Sequence, residues 1–337
     1  MRPRPLAALA AGACAAGLNA ACAGAPDYMH GSGEIARREA TLGWGLTITS
    51  LVVSAVVTAL LLVACLRRRP ADAERGNHPA GAIRWLVVGG IVVPTVILVV
   101  TFAFTLGTMQ AVAAPSRPPA FTVRVVGHQW WWEVIYPGAS PVQQVTTANE
   151  LHIPVGQPVR VELTSADVIH SFWVPQLAGK TDMIPGQRNV AWLHADTAGS
   201  YWEQCTEYCG TQHAHMAMRV VADPPARFAA WLADQRRPAS AAPADSLAAA
   251  GQRAFVGAAC SLCHNIQGTG AHGRVGPDLT HFASRQTIAA GLLPNTRGNV
   301  AGWIANTQTL KPGTAMPTVP LDAPQLLAIV AYLETLK

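Results

Sequence analysis

Charge is scarce in this chain. Only 13% of its 337 residues are Asp, Glu, Lys or Arg, while 50% are apolar; an ordinary soluble protein carries about 25% charged residues. So low a share excludes a disordered or purely soluble protein and points to segments buried in lipid. A nucleic-acid surface is excluded as well. Lys+Arg total 24 and Asp+Glu 19, giving +5, but nine basic and five acidic residues lie up to residue 110, leaving fifteen and fourteen beyond it. The excess therefore sits beside the apolar segments, where membrane topology places it. Cysteine is sparse too: seven residues, unevenly placed, exclude a disulfide scaffold. No internal repeat is present, and the length exceeds what one core organises, so two or three domains are expected.

A basic start from Met1 to Pro5 precedes an alanine-rich apolar run from Leu6 to Ala23. Residues 1–25 read as a secretory signal peptide, too short and too alanine-rich for a bilayer span. The surroundings of Cys22 faintly resemble a lipidation site, although Leu18 stands one place too far upstream. Two longer apolar stretches, Leu42 to Leu66 and Trp85 to Met109, contain no charge and can each cross about 30 Å of hydrocarbon. Between them lie Arg67, Arg68, Arg69, Arg75 and Arg84. The positive-inside rule puts this loop in the cytoplasm and both ends of the hairpin, residues 26–112, outside. Gly89, Gly90 and Pro94 interrupt the second span and predict a kink or a close helix contact.

Residues 113–224 change to short alternating β-rich runs, such as Phe121 to Val126, Gln157 to Leu163 and Asn189 to His194, which predict an antiparallel sandwich or barrel. A helical-looking stretch from Phe228 to Gln235 leads into an Ala/Pro/Ser segment, and residues 225–245 read as a linker. Residues 246–337 alternate helical stretches with Gly/Pro loops and end in an apolar-periodic helix, Pro324 to Leu336.

Cys260-Ser-Leu-Cys263-His264 is the attachment pattern of c-type haem. Two thiols on one helical turn bond the two vinyl groups, and the next histidine lies under the iron. Met316 is the one methionine that follows, well placed to close over the opposite face as second axial ligand. A zinc ribbon lacks its second cysteine pair downstream, and a thioredoxin-like pair lacks its flanking strands. His272 and His281 are alternative axial ligands, better read as loop or surface histidines, and Gly276-Pro277 shapes the loop against the proximal face. This part resembles a class I cytochrome c domain.

The densest chemistry lies from Cys205 to Met216. Cys209, His213 and Met216, with a distant histidine, would make a blue-copper centre; His170 supplies that histidine. Cys205 changes the chemistry, because two thiolates four residues apart can bridge two copper ions, with one imidazole terminating each metal. The competing reading is a Cys205–Cys209 disulfide in an oxidising compartment, which leaves the clustered histidine and methionine without a role. His215 reads as a neighbour of the site; His152 and His194 read as structural.

Three segments now carry a likeness: Gly127 to Trp132, His170 to Gly186, and Cys205 to Met216. The chain resembles subunit II of the haem–copper cytochrome c oxidases, in the caa3-type form with a fused cytochrome c domain. The resemblance implies a multi-domain membrane protein: a two-helix transmembrane hairpin, a cupredoxin-like antiparallel β-barrel and an all-α class I cytochrome c domain. It implies a binuclear copper A centre held by His170, Cys205, Cys209, His213, Met216 and the Glu207 carbonyl. The Glu207 side chain would reach a magnesium ion shared with subunit I. Trp130 matches the family's electron-receiving aromatic, expected at the surface with Trp131 and Trp132 inward; Asp167 and Asp182 would orient the copper loops. The implied role is the electron-receiving subunit of a proton-pumping terminal oxidase in a bacterial-type plasma membrane, both termini outside, with subunit I and cytochrome c as partners. The haem c would pass electrons through copper A to haem a and the oxygen site of subunit I. One departure is plain: Ala82, Ile83 and Arg84 stand where many relatives carry a proton-channel glutamate, so no proton role is carried over. A stand-alone membrane-tethered electron carrier is the alternative, separated by whether a haem-bearing large subunit copurifies. A nitrous oxide reductase module fits poorly with the hairpin and fused haem domain.

Overall fold

The computed structural model describes residues 27–67, 80–113, 117–140, 143–239 and 243–337. The expected signal peptide, Cys22, Arg68, Arg69 and Arg75 lie outside the described residues. Helix α1 (Glu34–Leu66) has 33 residues, about 50 Å at 1.5 Å per residue. That exceeds the hydrocarbon, and its first turns are accordingly buried in protein: Ile35, Ala36 and Ala40 pack against the β domain, where Ser32 N–H donates to the Gln176 carbonyl at 2.7 Å and Arg37 pairs with Asp196. The return span comprises α2 (Ala80–Val87), a π-helical turn (Val88–Val92) and α3 (Val93–Ala113). Pro94 has no N–H for the carbonyl one turn back, and the widened turn just before it absorbs the mismatch. Nothing lies within 4 Å of a Cβ built at Gly89 or Gly90, so of the two outcomes expected there, the structure shows helix distortion. Both spans are long and apolar enough to cross a membrane, and side chains such as Leu51, Leu60, Leu98 and Phe102 face outward.

Ten strands follow in two five-stranded sheets. The first orders β3 (Val145–Ala148), β2 (Trp131–Tyr136), β1 (Thr122–His128), β5 (Val159–Ser165) and β8 (Asn189–Leu193). The second orders β4 (Glu150–Pro154), β10 (Ala217–Asp223), β9 (Gly199–Cys205), β6 (His170–Trp173) and β7 (Thr181–Met183). Alternation places Val123 and Val125 of β1 inward, against Trp132, Leu163, Phe172 and Met218. The pairing is antiparallel except at β1/β5 and β4/β10, which run parallel. Those strands are neighbours in space but distant in sequence, joined by crossovers between the sheets, so local alternation carried no sign of their direction.

One crossover turns on Asn149, which separates β3 from β4 and stands at φ 58°. Asparagine tolerates this left-handed region better than most residues. Its N–H donates to the Trp132 carbonyl and its Oδ1 accepts from the Trp132 N–H at 2.9 Å. The residue thus fixes the strand that carries the tryptophan run.

Helix α4 (Pro225–Gln235) opens the stretch read as linker. It buries Phe228 and stacks Trp231 on the His152 ring at 3.9 Å, so this half is packed onto the barrel. The last domain contains α5 (Ser246–Gly257), α6 (Cys260–Cys263), α7 (Arg297–Ala305), α8 (Thr307–Leu310) and α9 (Ala323–Leu333). Asp245 caps α5, and Asp322 with Gln325 forms a capping box on α9. The two helices cross at Gly251, where a Cβ would stand 1.8 Å from the Ala328 carbonyl oxygen; glycine is required there. To the expected all-helical domain the structure adds a minimal hairpin, β11 (Thr287–Ile288) and β12 (Leu293–Pro294).

Asn149→Ala loses both the favourable backbone and the bond to Trp132, whereas Asn149→Gly loses only the bond. The alanine variant is expected to destabilise the barrel by roughly 2–4 kcal/mol and the glycine variant by about half as much, from left-handed strain and an orphaned N–H. Thermal unfolding followed by tryptophan fluorescence checks this; equal melting temperatures for the two variants would contradict it.

Candidate functional site

Cys205 ends β9, and the loop from there to β10 holds Glu207, Cys209, His213 and Met216. Residue 170 begins β6, which pairs with β9 through Phe172 opposite Cys205. The topology therefore brings His170 beside the loop. The Cys205 and Cys209 sulfurs are 3.7 Å apart, far beyond an S–S bond of about 2.05 Å, and both are free. On the Cys205 side, His170 Nδ1 is 3.9 Å and the Glu207 carbonyl 3.3 Å from the sulfur. On the Cys209 side, His213 Nδ1 is 3.6 Å and Met216 Sδ 3.9 Å away. All six donors named from the sequence thus converge, in two sets about a shared sulfur pair. His170, Cys205 and Cys209 alone place their ligand atoms within 4.8 Å of one another.

The electrostatics match this donor set. The contact with Cys209, helped by His170, lowers the Cys205 thiol to about 4, although burial opposes it. The same contact, together with burial, pushes Cys209 upward. The close contact thus favours ionising one sulfur over the other, and a cation between them would favour ionising both. Burial pulls the His170 pKa down, but its bonds to Cys205 and Asp167 outweigh that and raise it. Asp167 Oδ1 is 2.8 Å from His170 Nε2, which turns Nδ1 toward the sulfur, and Asp167 Oδ2 accepts from the Gln129 N–H at 2.6 Å. The Asp182 Oδ1 finds no hydrogen bond; its neighbour Lys180 is 3.8 Å away.

Trp130 departs from expectation. It is 8% exposed, covered by the last domain instead of lying at the surface. Its indole N–H donates to the Cys209 carbonyl at 3.0 Å, and Gln129 Nε2 donates to the same oxygen at 2.7 Å. Trp131 stacks on His128, and Trp132 is fully buried.

In the last domain, Cys260, Cys263, His264 and Met316 line one apolar cavity, walled further by Val300 and Ile304. His264 Nδ1 donates to the Pro277 carbonyl at 2.7 Å, leaving Nε2 as the lone-pair nitrogen. Burial lowers its pKa and keeps the ring neutral, as an iron ligand must be. A Cβ at Gly276 would lie 2.7 Å from His264 Cε1, so the Gly-Pro loop clasps this ring. Both His281 nitrogens face main-chain carbonyls, of Lys337 and Arg237, and His272 is exposed away from the cavity. His152 lies between Glu150 and Asp223, and His194 beside the start of α1, both as structural elements.

Three features escaped the sequence reading. Glu203 is fully buried two residues before Cys205, and burial holds it well above the carboxylate range. Lys311 is 2% exposed. Ala289 and Ala290 stand at φ 55° and 60°. None carries a sequence signal, since each depends on what the fold lays over it.

A cysteine pair with imidazole and thioether donors, set in a domain of two five-stranded sheets on two apolar helices and joined to a helical domain with the c-type haem attachment pattern, has the makings of an electron-transfer subunit. Comparison with known proteins agrees with that class. The family model for the periplasmic domain of cytochrome c oxidase subunit II matches residues 138–223, and that for cytochrome c matches 248–337. Cytochrome c oxidase subunit 2 of Alkalihalophilus pseudofirmus is 35% identical over 298 residues, 86% of this chain and 84% of the relative; that of Bacillus subtilis is 30% identical over 269 residues, 76% and 74%. A solved periplasmic domain of the Bradyrhizobium japonicum subunit shares 30% identity at TM-score 0.34, covering 36% of this chain and 97% of that one. The chain belongs to the cytochrome c oxidase subunit 2 family and carries a fused cytochrome c domain.

At Gly127 a Cβ would stand 2.8 Å from His170 Cδ2. Gly127→Ala is therefore expected to displace that ring and lower copper retention by about tenfold, roughly 1.4 kcal/mol, with the circular dichroism of the barrel unchanged. Copper analysis after dialysis against a chelator reads the effect, and full retention would contradict the placement of His170 in the centre.

Proposed function

We propose that this chain is the electron-receiving subunit of a proton-pumping terminal oxidase, taking electrons from cytochrome c or a similar donor and delivering them, through its haem c and binuclear copper A, to haem a and the oxygen-reducing site of subunit I. When bound, these groups supply one-electron carriers that change charge with little movement of their ligands.

The chain's part is to hold, orient and dry these sites. Cys260 and Cys263 would tether the porphyrin, His264 and Met316 would hold its iron, and the apolar cavity wall would exclude water. His170, Cys205, Cys209, His213, Met216 and the Glu207 carbonyl would hold the two copper ions, with Asp167 fixing the imidazole. The Glu207 carboxylate, half-buried beside this loop, is the donor the chain would contribute to a magnesium shared with subunit I. Arg67 and Arg84, flanking the turn of the hairpin, mark the cytoplasmic side. The domain limits proposed are hairpin 26–112, copper domain 113–224, connection 225–245 and haem domain 246–337, with the helix Pro225–Gln235 that opens the connection packed on the copper domain.

One observation carries the reading. The cavity lined by Cys260, Cys263, His264 and Met316 is closed on another side by Trp130, whose indole bonds to the carbonyl of Cys209. The two candidate centres thus share a wall. A donor has no open face of Trp130 to use, so electrons would pass first to the haem domain.

Optical and electron paramagnetic resonance spectra of the purified full chain test the assignment. The expected result is c-type bands that survive acid extraction, because the haem is covalent, and a multi-line copper signal from two equivalent nuclei. A single-nucleus copper pattern, or haem lost on extraction, would overturn it.

A further inference from the structure

Lys311 lies just after α8, five residues before Met316, and its ammonium is enclosed. It donates to the carbonyl of Trp130 at 2.8 Å, of His215 at 2.7 Å and of Ala289 at 2.9 Å. Two of these carbonyls belong to the copper domain and one to the haem domain, and together they use all three N–H donors of the side chain. Burial lowers its pKa to about 7.

The surrounding contacts have the same main-chain character. Gln212 Nε2 donates to the Pro312 carbonyl at 2.8 Å, and Gly313 lies against the Trp130 ring. The tip of the β11–β12 hairpin comes from the other direction. Ala289, Ala290 and Gly291 are three successive residues at positive φ, a conformation that strains each alanine by about 1–2 kcal/mol. There the Ala290 carbonyl accepts from the Ala217 N–H at 3.0 Å, and the Gln286 N–H donates to Glu150 Oε2 at 2.9 Å. Among the described residues no salt bridge joins the two domains, although the buried Arg285 feels the charge of Glu150.

We propose that Lys311 is a positioning residue for haem-to-copper electron transfer: a latch that locks the loop carrying Met316 onto the loop carrying His213 and Met216, and so holds the haem domain in one fixed pose over Trp130. The inference rests on the relay proposed above. It goes further in that the linker alone would supply only a raised local concentration, whereas the latch supplies a single geometry. Because the contacts are buried and mostly uncharged, the transfer step should be nearly insensitive to salt, unlike docking between separate charged surfaces.

The test uses the assembled, metal-loaded complex in detergent. Lys311→Met is expected to slow haem-to-copper transfer by about tenfold or more, because the contacts that remain no longer pin the Met316 loop in one pose and the tether supplies only local concentration, while the sulfur-to-iron absorption band and the copper signal stay intact. Hydrogen exchange should show residues 311–316 and 212–216 losing protection together, with α9 and β1 still protected. Lys311→Arg should recover part of the rate, since its planar fork cannot aim donors at all three carbonyls. Should the methionine variant fail to assemble, Gln212→Leu tests the same face from the copper side and should give a smaller slowing with the same paired loss of protection. Unchanged rate and protection in the variant measured, or loss of the sulfur-to-iron band without separation of the domains, would overturn the latch. Absence of haem-to-copper transfer in the unaltered complex would instead remove the relay beneath it.

Discussion

Two sulfurs buried 3.7 Å apart pose a problem that the rest of the copper domain is arranged around. Left as thiols they are poor donors; ionised together in a dry barrel they repel. The chain surrounds the pair with further donors, His170, His213, Met216 and the Glu207 carbonyl, so that metal placed among them would balance the charge of the thiolates. The barrel contributes rigidity. β6 and β9 are paired, so the histidine from one and the cysteine from the other are set by the same ladder of hydrogen bonds, and Asp167 removes the remaining freedom of the ring.

The haem domain extends that logic. An electron carrier needs its two centres close and their separation constant, and a flexible Ala/Pro/Ser connection cannot supply constancy. The structure supplies it by hydrogen bonds between main chains and a few buried side chains. The hairpin alanines hold a conformation that alanine disfavours; the Ala290 carbonyl accepts from Ala217 of the copper domain, and that of Ala289 from Lys311. Trp130 lies where these contacts meet, bonded to the copper loop through Cys209 and covered by Gly313 of the loop that carries Met316.

Much of this was legible in the sequence, for physical reasons. The two spans stood out because an uncharged run of that length has no place in water. The strands β1, β5 and β8 were legible through alternation, and both candidate ligand clusters because their donors are few, chemically distinct and tightly spaced. What stayed hidden depends on contacts between distant segments. The parallel pairing of β1 with β5 and of β4 with β10 arises from crossovers that local pattern does not record. Trp130 was expected at a surface because nothing in its neighbours reveals that another domain covers it. Lys311 reads as an ordinary solvent-facing lysine in a Gly/Pro loop, and the strain at Ala289 and Ala290 has no counterpart in composition. The Pro225–Gln235 helix was seen but counted with the linker, since its apolar face has meaning only against Tyr136 and His152.

The central claim is that Cys205 and Cys209 together hold two metal ions as one electronic unit. X-ray absorption at the copper edge of the purified, loaded protein tests it most directly. The account predicts that each copper has two sulfur neighbours at bonding distance, one imidazole, and a second copper as a close neighbour. One thiolate sulfur per copper with no copper neighbour would contradict it.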